Sequence, residues 1–150
     1  MVRFFLTLVL AAAAAGGWFF TWGPAAHAPI SVVLRPEARR LGELARRFME
    51  AIRFKDFEAA AGYSSPEDRK SADIPKLIER LFQVKPELLQ LDNIELLTAD
   101  VDESGKRART KLKADVKLLN TSELRHPEVL LYWKKEQAGP WYMDLAGSLQ

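Results

Sequence analysis

An uncharged run of 19 residues, from Phe4 to Trp22, constrains the fold of this chain more than any other part of its sequence. A helix of that length rises about 28 Å, close to the roughly 30 Å hydrocarbon core of a bilayer. Tryptophan at its far end is typical of the membrane–water interface, and Gly23-Pro24 ends the helical pattern. The sequence therefore predicts a transmembrane anchor that contacts membrane lipid through Phe4, Phe5, Leu8, Trp18 and Trp22.

The same segment has the features of a cleaved secretory signal peptide. Arg3 precedes the apolar run, and Ala26-His27-Ala28 fits a small-x-small cleavage site. Either interpretation implies export. Because the apolar core of a signal peptide usually has roughly 7–15 residues, the longer run favours an anchor retained in the cell membrane, with the C-terminal domain outside the cytoplasm, in the periplasm. Cleavage after Ala28 would instead release a soluble periplasmic or secreted protein.

The rest of the chain has room for one domain, since domains usually have roughly 100–200 residues and the whole chain has 150. Residues 1–28 form the predicted anchor or signal peptide. Prolines at positions 29 and 36 mark residues 29–36 as a linker, because proline biases its predecessor towards extended backbone. We predict an α+β domain over residues 37–146 and a tail over residues 147–150.

Helical periodicity dominates the first half of this domain. Apolar residues recur at three- and four-residue intervals from Leu41 to Ile52 and predict a long amphipathic helix. The pattern pauses before Asp56, which can cap a second, short helix. Ser65 and Asp73 are the expected caps of two further helical segments.

Alternation with a period of two dominates the second half and predicts four antiparallel strands, over residues 91–101, 107–118, 127–135 and 141–145. The second strand is the clearest, because charged residues alternate there with a set expected to face inward: Ala108, Thr110, Leu112, Ala114, Val116 and Leu118. Helices followed by such a meander indicate an α+β fold in which the long helix packs on one face of the sheet.

This order of elements carries a resemblance to a known superfamily. Together with the stretch Phe48–Ala60 and the aromatic stretches Tyr132–Lys135 and Trp141–Leu145, it resembles the nuclear transport factor 2-like, cystatin-like α+β cone over about residues 37–146. The resemblance implies helices packed on a curved four-stranded antiparallel sheet. It implies little about activity, because members include enzymes, ligand carriers, secretion-system subunits and interaction domains.

Candidate catalytic residues are few. The expected inward set of the sheet offers only Thr110 as a polar member, Asp56 and Ser65 are explained as helix caps, and His126 is expected as a lone exposed histidine. One histidine without neighbouring ligands predicts no metal site, and a chain without cysteine excludes disulfides and thiolate chemistry. The sequence predicts no catalytic residues and no cofactor, so an enzyme such as an isomerase or hydrolase is the least favoured class.

Two surfaces are candidate binding sites. Tyr63, Trp133 and Trp141 could wall a small apolar ligand pocket, or could simply pack across the strands. A basic stripe could touch anionic lipid or an acidic partner, or could be a solvated face paired with acids on neighbouring strands; it comprises Lys106, Arg107, Arg109, Lys111, Lys113 and Lys117.

These observations favour an exported, membrane-anchored, non-catalytic interaction or accessory domain, whose partners are membrane lipid and other protein subunits of a larger membrane complex. The alternative is a periplasmic or secreted carrier of a small apolar ligand. Nucleic acid is not an expected partner, because the net charge is only +2 and no aromatic residue for base stacking lies between Phe82 and Tyr132.

Overall fold

The computed structural model describes residues 35–149, and the predicted anchor or signal peptide lies outside this range, as does the linker up to residue 34. The described chain is α+β with an antiparallel sheet, as predicted. Its helices are α1 Pro36–Arg53, α2 Phe57–Ala61, α3 Ile74–Phe82 and α4 Leu145–Ser148. Its strands are β1 Leu89–Val101, β2 Arg107–Leu118, β3 Leu124–Arg125, β4 Glu128–Lys134 and β5 Tyr142–Met143.

Helix α1 is the long amphipathic helix expected from the periodicity. One face is buried against the sheet and the neighbouring helices; it comprises Ala38, Leu41, Gly42, Ala45, Phe48, Met49 and Ile52. Gly42 allows a close approach, because a Cβ at this position would lie 2.4 Å from Cδ2 of Leu96 on β1. Among residues 35–149, no helix combines the length and apolar composition needed to cross a membrane.

Side-chain caps set the starts of α2 and α3, and the predicted caps Asp56 and Asp73 are confirmed. Ser65 does not cap a helix directly, since the 3₁₀ helix that follows it, Asp68–Ser71, has Glu67 as its N-cap. Asp56 accepts a hydrogen bond from the backbone N–H of Ala59 at 3.0 Å and starts α2. Asp73 accepts one from Lys76 at 3.0 Å and starts α3. The Ser65 hydroxyl accepts one at 3.2 Å from the backbone N–H that begins a short 3₁₀ turn. Each bond satisfies a backbone donor that the first helical turn leaves without a partner.

The sheet runs in the order β1-β2-β4-β5, and the two-residue strand β3 pairs with the end of β2. The last strand is shorter than the predicted 141–145. It stops because Asp144 caps α4, accepting a hydrogen bond from the backbone N–H of Gly147 at 3.1 Å. The inward set predicted for β2 is confirmed, since all six of its members are buried.

Strand β1 contains two irregularities that obscure its alternation of inward and outward residues. The register with β2 shifts between Asp92 and Glu95 and again between Leu96 and Thr98, each time by one extra residue on β1. Asn93, at the first shift, has a φ of 48°. Each bulge adds one residue to β1. The residues that face inward are therefore spaced by two or three positions: Leu89, Leu91, Ile94, Leu96, Ala99 and Val101.

The buried polar groups of the sheet serve structural hydrogen bonds. The indole N–H of Trp133, which is 1% exposed, donates to the Thr110 hydroxyl at 2.9 Å. The buried Ser148 hydroxyl accepts from the backbone N–H of Tyr132 at 3.1 Å and donates to the Asp144 carbonyl at 2.8 Å. Thr110, the one polar member of the inward β2 set, is therefore explained by its indole partner.

We expect Thr110→Val to lower the free energy of unfolding by about 1–3 kcal/mol, because it leaves the buried Trp133 N–H without an acceptor. Combining Thr110→Val with Trp133→Phe should cost less than the sum of the single changes, since no unsatisfied donor remains. Urea denaturation of the full chain, followed by circular dichroism, measures both. The control Thr98→Val, on the exposed face of β1, should change stability by less than about 0.5 kcal/mol. A Thr110→Val protein as stable as this control would contradict the assignment.

Candidate functional site

The three aromatic residues predicted to line a pocket lie close to Met143 on β5. Trp133 pairs with Met143 across the sheet, and the Tyr63 carbonyl accepts a hydrogen bond from the Met143 N–H at 2.8 Å. Trp141 lies two residues before Met143 on the same side and is 7% exposed. The structure thus brings Tyr63, Trp133 and Trp141 into one region, although they come from distant parts of the chain.

Packing contacts occupy these aromatic rings. Tyr63 meets Phe48 edge to face, with ring centroids 5.9 Å apart and ring planes at 85°. The ammonium group of Lys135 lies 4.8 Å from the centroid of the Trp141 ring and also bonds Glu37 of α1 at 2.5 Å. The aromatic cluster therefore ties β4 and the following turn to α1, while its role in ligand binding stays a prediction.

Cross-strand carboxylates accompany the predicted basic stripe on the outer face of the sheet. Arg109 pairs with Asp100 of β1 at 3.4 Å, and Lys111 forms an ion pair with Glu128 of β4. Lys113 lies in register with Glu95. The outward positions of β1, β2 and β4 carry five residues of the stripe and Lys134 of β4, six bases in all. The same positions carry five acids: Asp92, Glu95, Asp100, Asp115 and Glu128. The stripe is therefore close to neutral once the neighbouring strands are included.

Four residues of the stripe have no ion-pair partner among the described residues: Lys106, Arg107, Lys113 and Lys117. Lys106 and Arg107 lie at the hairpin end of β2, whereas Lys117 lies at the opposite end. The unpaired charges are thus separated along the strand. The binding of anionic lipid or an acidic partner by the stripe stays a prediction.

His126 is exposed, as predicted, but it is not isolated. Its Nδ1 lies 2.6 Å from Oδ1 of Asp115 on β2, and the Asn93 side-chain amide donates to the other Asp115 oxygen at 2.7 Å. The two hydrogen bonds lower the pKa of the Asp115 carboxyl, that from Asn93 more than that from His126. This His–Asp pair depends on the register of β2 with β1 and β3, which the sequence alone did not reveal.

The candidate reactive side chains do not converge on one place in the described chain. Asp56 caps α2, Tyr63 packs in the aromatic cluster, and His126 lies on the outer side of the sheet next to Asp115. Across residues 35–149, no three histidine or acidic side chains are grouped closely enough to hold a metal ion. A histidine held by a carboxylate could accept or release a proton, but the structure places no nucleophilic partner in bonding contact with it among the described residues.

A shallow groove of about 320 Å³ lies where the end of α1 meets the start of β1. Phe54, 73% exposed, and Leu119, 51% exposed, form its apolar wall. Arg53 bonds Asp92 at 3.3 Å along its polar wall. Sequence analysis did not identify this groove, because the two exposed residues of its apolar wall, Phe54 and Leu119, are 65 residues apart in the chain.

The exposed side of α1 is a strongly charged surface that sequence analysis did not single out as a candidate site. Six exposed arginines lie on α1 or at its N-cap: Arg35, Arg39, Arg40, Arg46, Arg47 and Arg53. The helix carries only three acids. Glu37 bonds Lys135, Glu43 pairs with Arg47 at 2.5 Å, and Glu50 lies 3.5 Å from Arg53.

Neither protein-family models nor curated proteins gave a match to this chain. Its function is therefore argued from the sequence and the structure.

Replacing Asn93 with glycine tests how Asp115 is held. Glycine tolerates the positive φ at this position, so Asn93→Gly removes the side-chain amide without straining the bulge. We expect the pKa of Asp115 to rise towards its ordinary value, as measured by an NMR titration of its carboxyl carbon. Because folding lowers this pKa, the carboxylate stabilises the fold at pH values above its unfolded pKa, and this contribution is lost as the pH falls through the folded pKa.

Asp102 provides the internal reference for this titration. Its pKa is lowered mainly by the Ser104 hydroxyl and should be the same in both proteins. An unchanged Asp115 midpoint in the Asn93→Gly protein would show that the amide does not hold the carboxylate.

Proposed function

We propose that this protein is an exported, single-pass membrane protein whose folded domain is a non-catalytic interaction or accessory module, acting as a small subunit of a larger membrane complex. The anchor is the uncharged run Phe4–Trp22, and the domain lies outside the cytoplasm. Its partners are membrane lipid and other protein subunits.

The observation that carries this proposal is the use of polar groups in the described core. The indole N–H of Trp133 and the hydroxyls of Thr110 and Ser148 are bonded to one another or to the backbone and hold the fold together. The Ser64 hydroxyl is also buried but has no hydrogen-bond partner among the described residues, so no base is in place there to activate it. The histidine–carboxylate pair lies on the outer side of the sheet instead. A core built in this way favours a module that acts through its surface, since an active site needs ionisable groups that converge in a cleft.

A ligand carrier is less well supported. The proposed pocket wall includes Trp133, whose ring is buried at 1% exposure and whose polar atom is already bonded. A carrier would need this ring to face a ligand.

The order of elements also supports membership of the nuclear transport factor 2-like superfamily, with its cone-shaped domain. Helices α1 to α3 precede an antiparallel meander, and α1 lies across β1 and β2. The module proposed here uses that scaffold for interaction, which is one of several uses that the superfamily resemblance implies.

Introducing a charge at the middle of the uncharged run tests the anchor. Arginine at the centre of a membrane-spanning helix costs about 3 kcal/mol on insertion scales, or roughly a hundredfold in the insertion equilibrium. We expect the wild-type chain to stay with membranes after alkaline carbonate extraction and Ala13→Arg to shift towards the soluble fraction. Ala25→Arg, which lies beyond the run, is the matched control and should stay with the membranes.

The intact mass of the purified protein distinguishes an anchor from a cleaved signal peptide. A mature chain that begins at Met1 or Val2 supports the anchor, whereas one that begins at Pro29 would contradict it. A C-terminal tag should be digested by protease added outside spheroplasts. Its protection there would overturn the proposed orientation.

A further inference from the structure

We infer that the arginine face of α1, defined as Arg35, Arg39, Arg40 and Arg46, is a docking surface for anionic phospholipid headgroups of the membrane that holds the anchor. This inference rests on the proposed function, because it assumes a membrane next to the domain. It assigns the membrane contact to α1 and not to the basic stripe on β2, which sequence analysis offered as a candidate.

The four arginines are not neutralised by the protein. Within residues 35–149, none of them forms an ion pair with a carboxylate, whereas Arg47 and Arg53 do. Two of the three acids of α1 are bound by Arg47 and Arg53, and the third, Glu37, bonds Lys135. Three of the four unpaired arginines, Arg35, Arg39 and Arg40, lie at the N-cap or in the N-terminal half of α1, and Arg46 lies just past its middle.

Three of these arginines form a row that suits a planar surface, and Arg40 lies about 100° around the helix from Arg39. Arg39 and Arg46 are seven residues apart, which places them on one side of the helix about 10 Å from each other. Arg35 precedes Arg39 by about one helical turn, so the row is roughly 16 Å long. Planar guanidinium groups along such a row can each bind phosphate oxygens in a bidentate manner.

The apolar side of α1 cannot enter the bilayer, because it is already used in the core. Leu41, Phe48 and Met49 are 0% exposed. Binding through α1 must therefore be electrostatic and sensitive to salt, unlike that of an interfacial helix that inserts its apolar face.

The sequence places this surface within reach of the membrane. Twelve residues, 23–34, separate Trp22 from Arg35 and can span at most roughly 40 Å when fully extended. An anchored chain thus holds the arginine face at a high effective concentration near the headgroups, so that weak individual contacts are sufficient.

On the outer face of the sheet, the balance of charge is different. Six basic residues there face five acids, and several of these side chains are paired. An anionic membrane would repel those acids as it attracted the bases. The excess of positive charge on α1 therefore favours this helix as the membrane-facing surface.

The absence of cysteine from the sequence allows labelling at a single position of the full chain. A donor dye on Glu43→Cys reports on α1, and one on Thr98→Cys reports on the outer face of the sheet. The labelled chains are reconstituted into nanodiscs of phosphatidylcholine alone or of equimolar phosphatidylglycerol and phosphatidylcholine, with an acceptor dye on a small fraction of the headgroups. We expect energy transfer from the α1 label to be higher in the anionic discs and to fall at about 1 M salt, where the Debye length is about 3 Å.

Two charge-matched variants identify the surface. Because each arginine near an anionic membrane contributes roughly a fivefold change in association, Arg39→Gln/Arg40→Gln/Arg46→Gln should weaken docking about a hundredfold. Arg109→Gln/Lys111→Gln/Lys113→Gln removes the same charge from the sheet and should leave transfer from the α1 label nearly unchanged.

Equal transfer in the two kinds of disc, or a larger loss in the sheet variant, would overturn the inference. Close approach only after addition of an acidic protein would assign the face to a protein partner and would also overturn it.

Failure of the anchor is distinguished from failure of docking by carbonate extraction of the same discs. A chain that resists extraction but shows no lipid-dependent transfer retains the anchor and refutes the docking surface. A chain that is extracted is tested by flotation with vesicles of the same two compositions. Salt-sensitive flotation with the anionic vesicles, lost in the α1 variant, would still support docking, and its absence would refute it.

Discussion

Burial of the apolar side of α1 against β1 and β2 is the interaction on which the rest of the structure depends. Phe48, Met49 and Leu41 are completely buried, and each large apolar side chain removed from water contributes roughly 1.5–3 kcal/mol. The contact requires β1 to present apolar residues along its whole length, which its two bulges make possible. Gly42 lets the helix approach β1 closely at Leu96. Once these faces are joined, most charged side chains can only point outwards.

This arrangement separates structural from functional chemistry. Inside, Trp133 and Thr110 satisfy each other across neighbouring strands, and Ser148 joins α4 to β4. Outside, Asp115 is held between Asn93 and His126, and Lys134 bonds Asp68 at 2.7 Å, a contact that lowers the pKa of Asp68 and raises that of Lys134. This distribution supports the proposal that the domain acts through its surface, on membranes and protein partners.

Charge counting along the sequence does not show which charges neighbouring strands bring to the same surface. The basic residues of β2 form the run with the greatest excess of one charge in the sequence. In the sheet, however, acidic residues of the neighbouring strands β1 and β4 lie beside them. Helix α1 draws its exposed residues from one continuous segment, and none of its three acids pairs with Arg35, Arg39, Arg40 or Arg46. The charge of a sheet face depends on residues from several strands, whereas the charge on the exposed side of a helix depends mostly on that helix.

The sequence by itself determined the α+β class, the caps Asp56 and Asp73, and the inward side of β2, because capping and alternation are local properties of the chain. Only the tertiary structure decided the bulges of β1, the early end of β5 at Asp144, and the meeting of Asn93, Asp115 and His126. These features depend on strand register, and register arises from contacts between residues far apart in sequence. The bulges show this most clearly. They change the spacing of inward residues from two to three at each bulge, so a search for one fixed period does not reveal the inward side of β1.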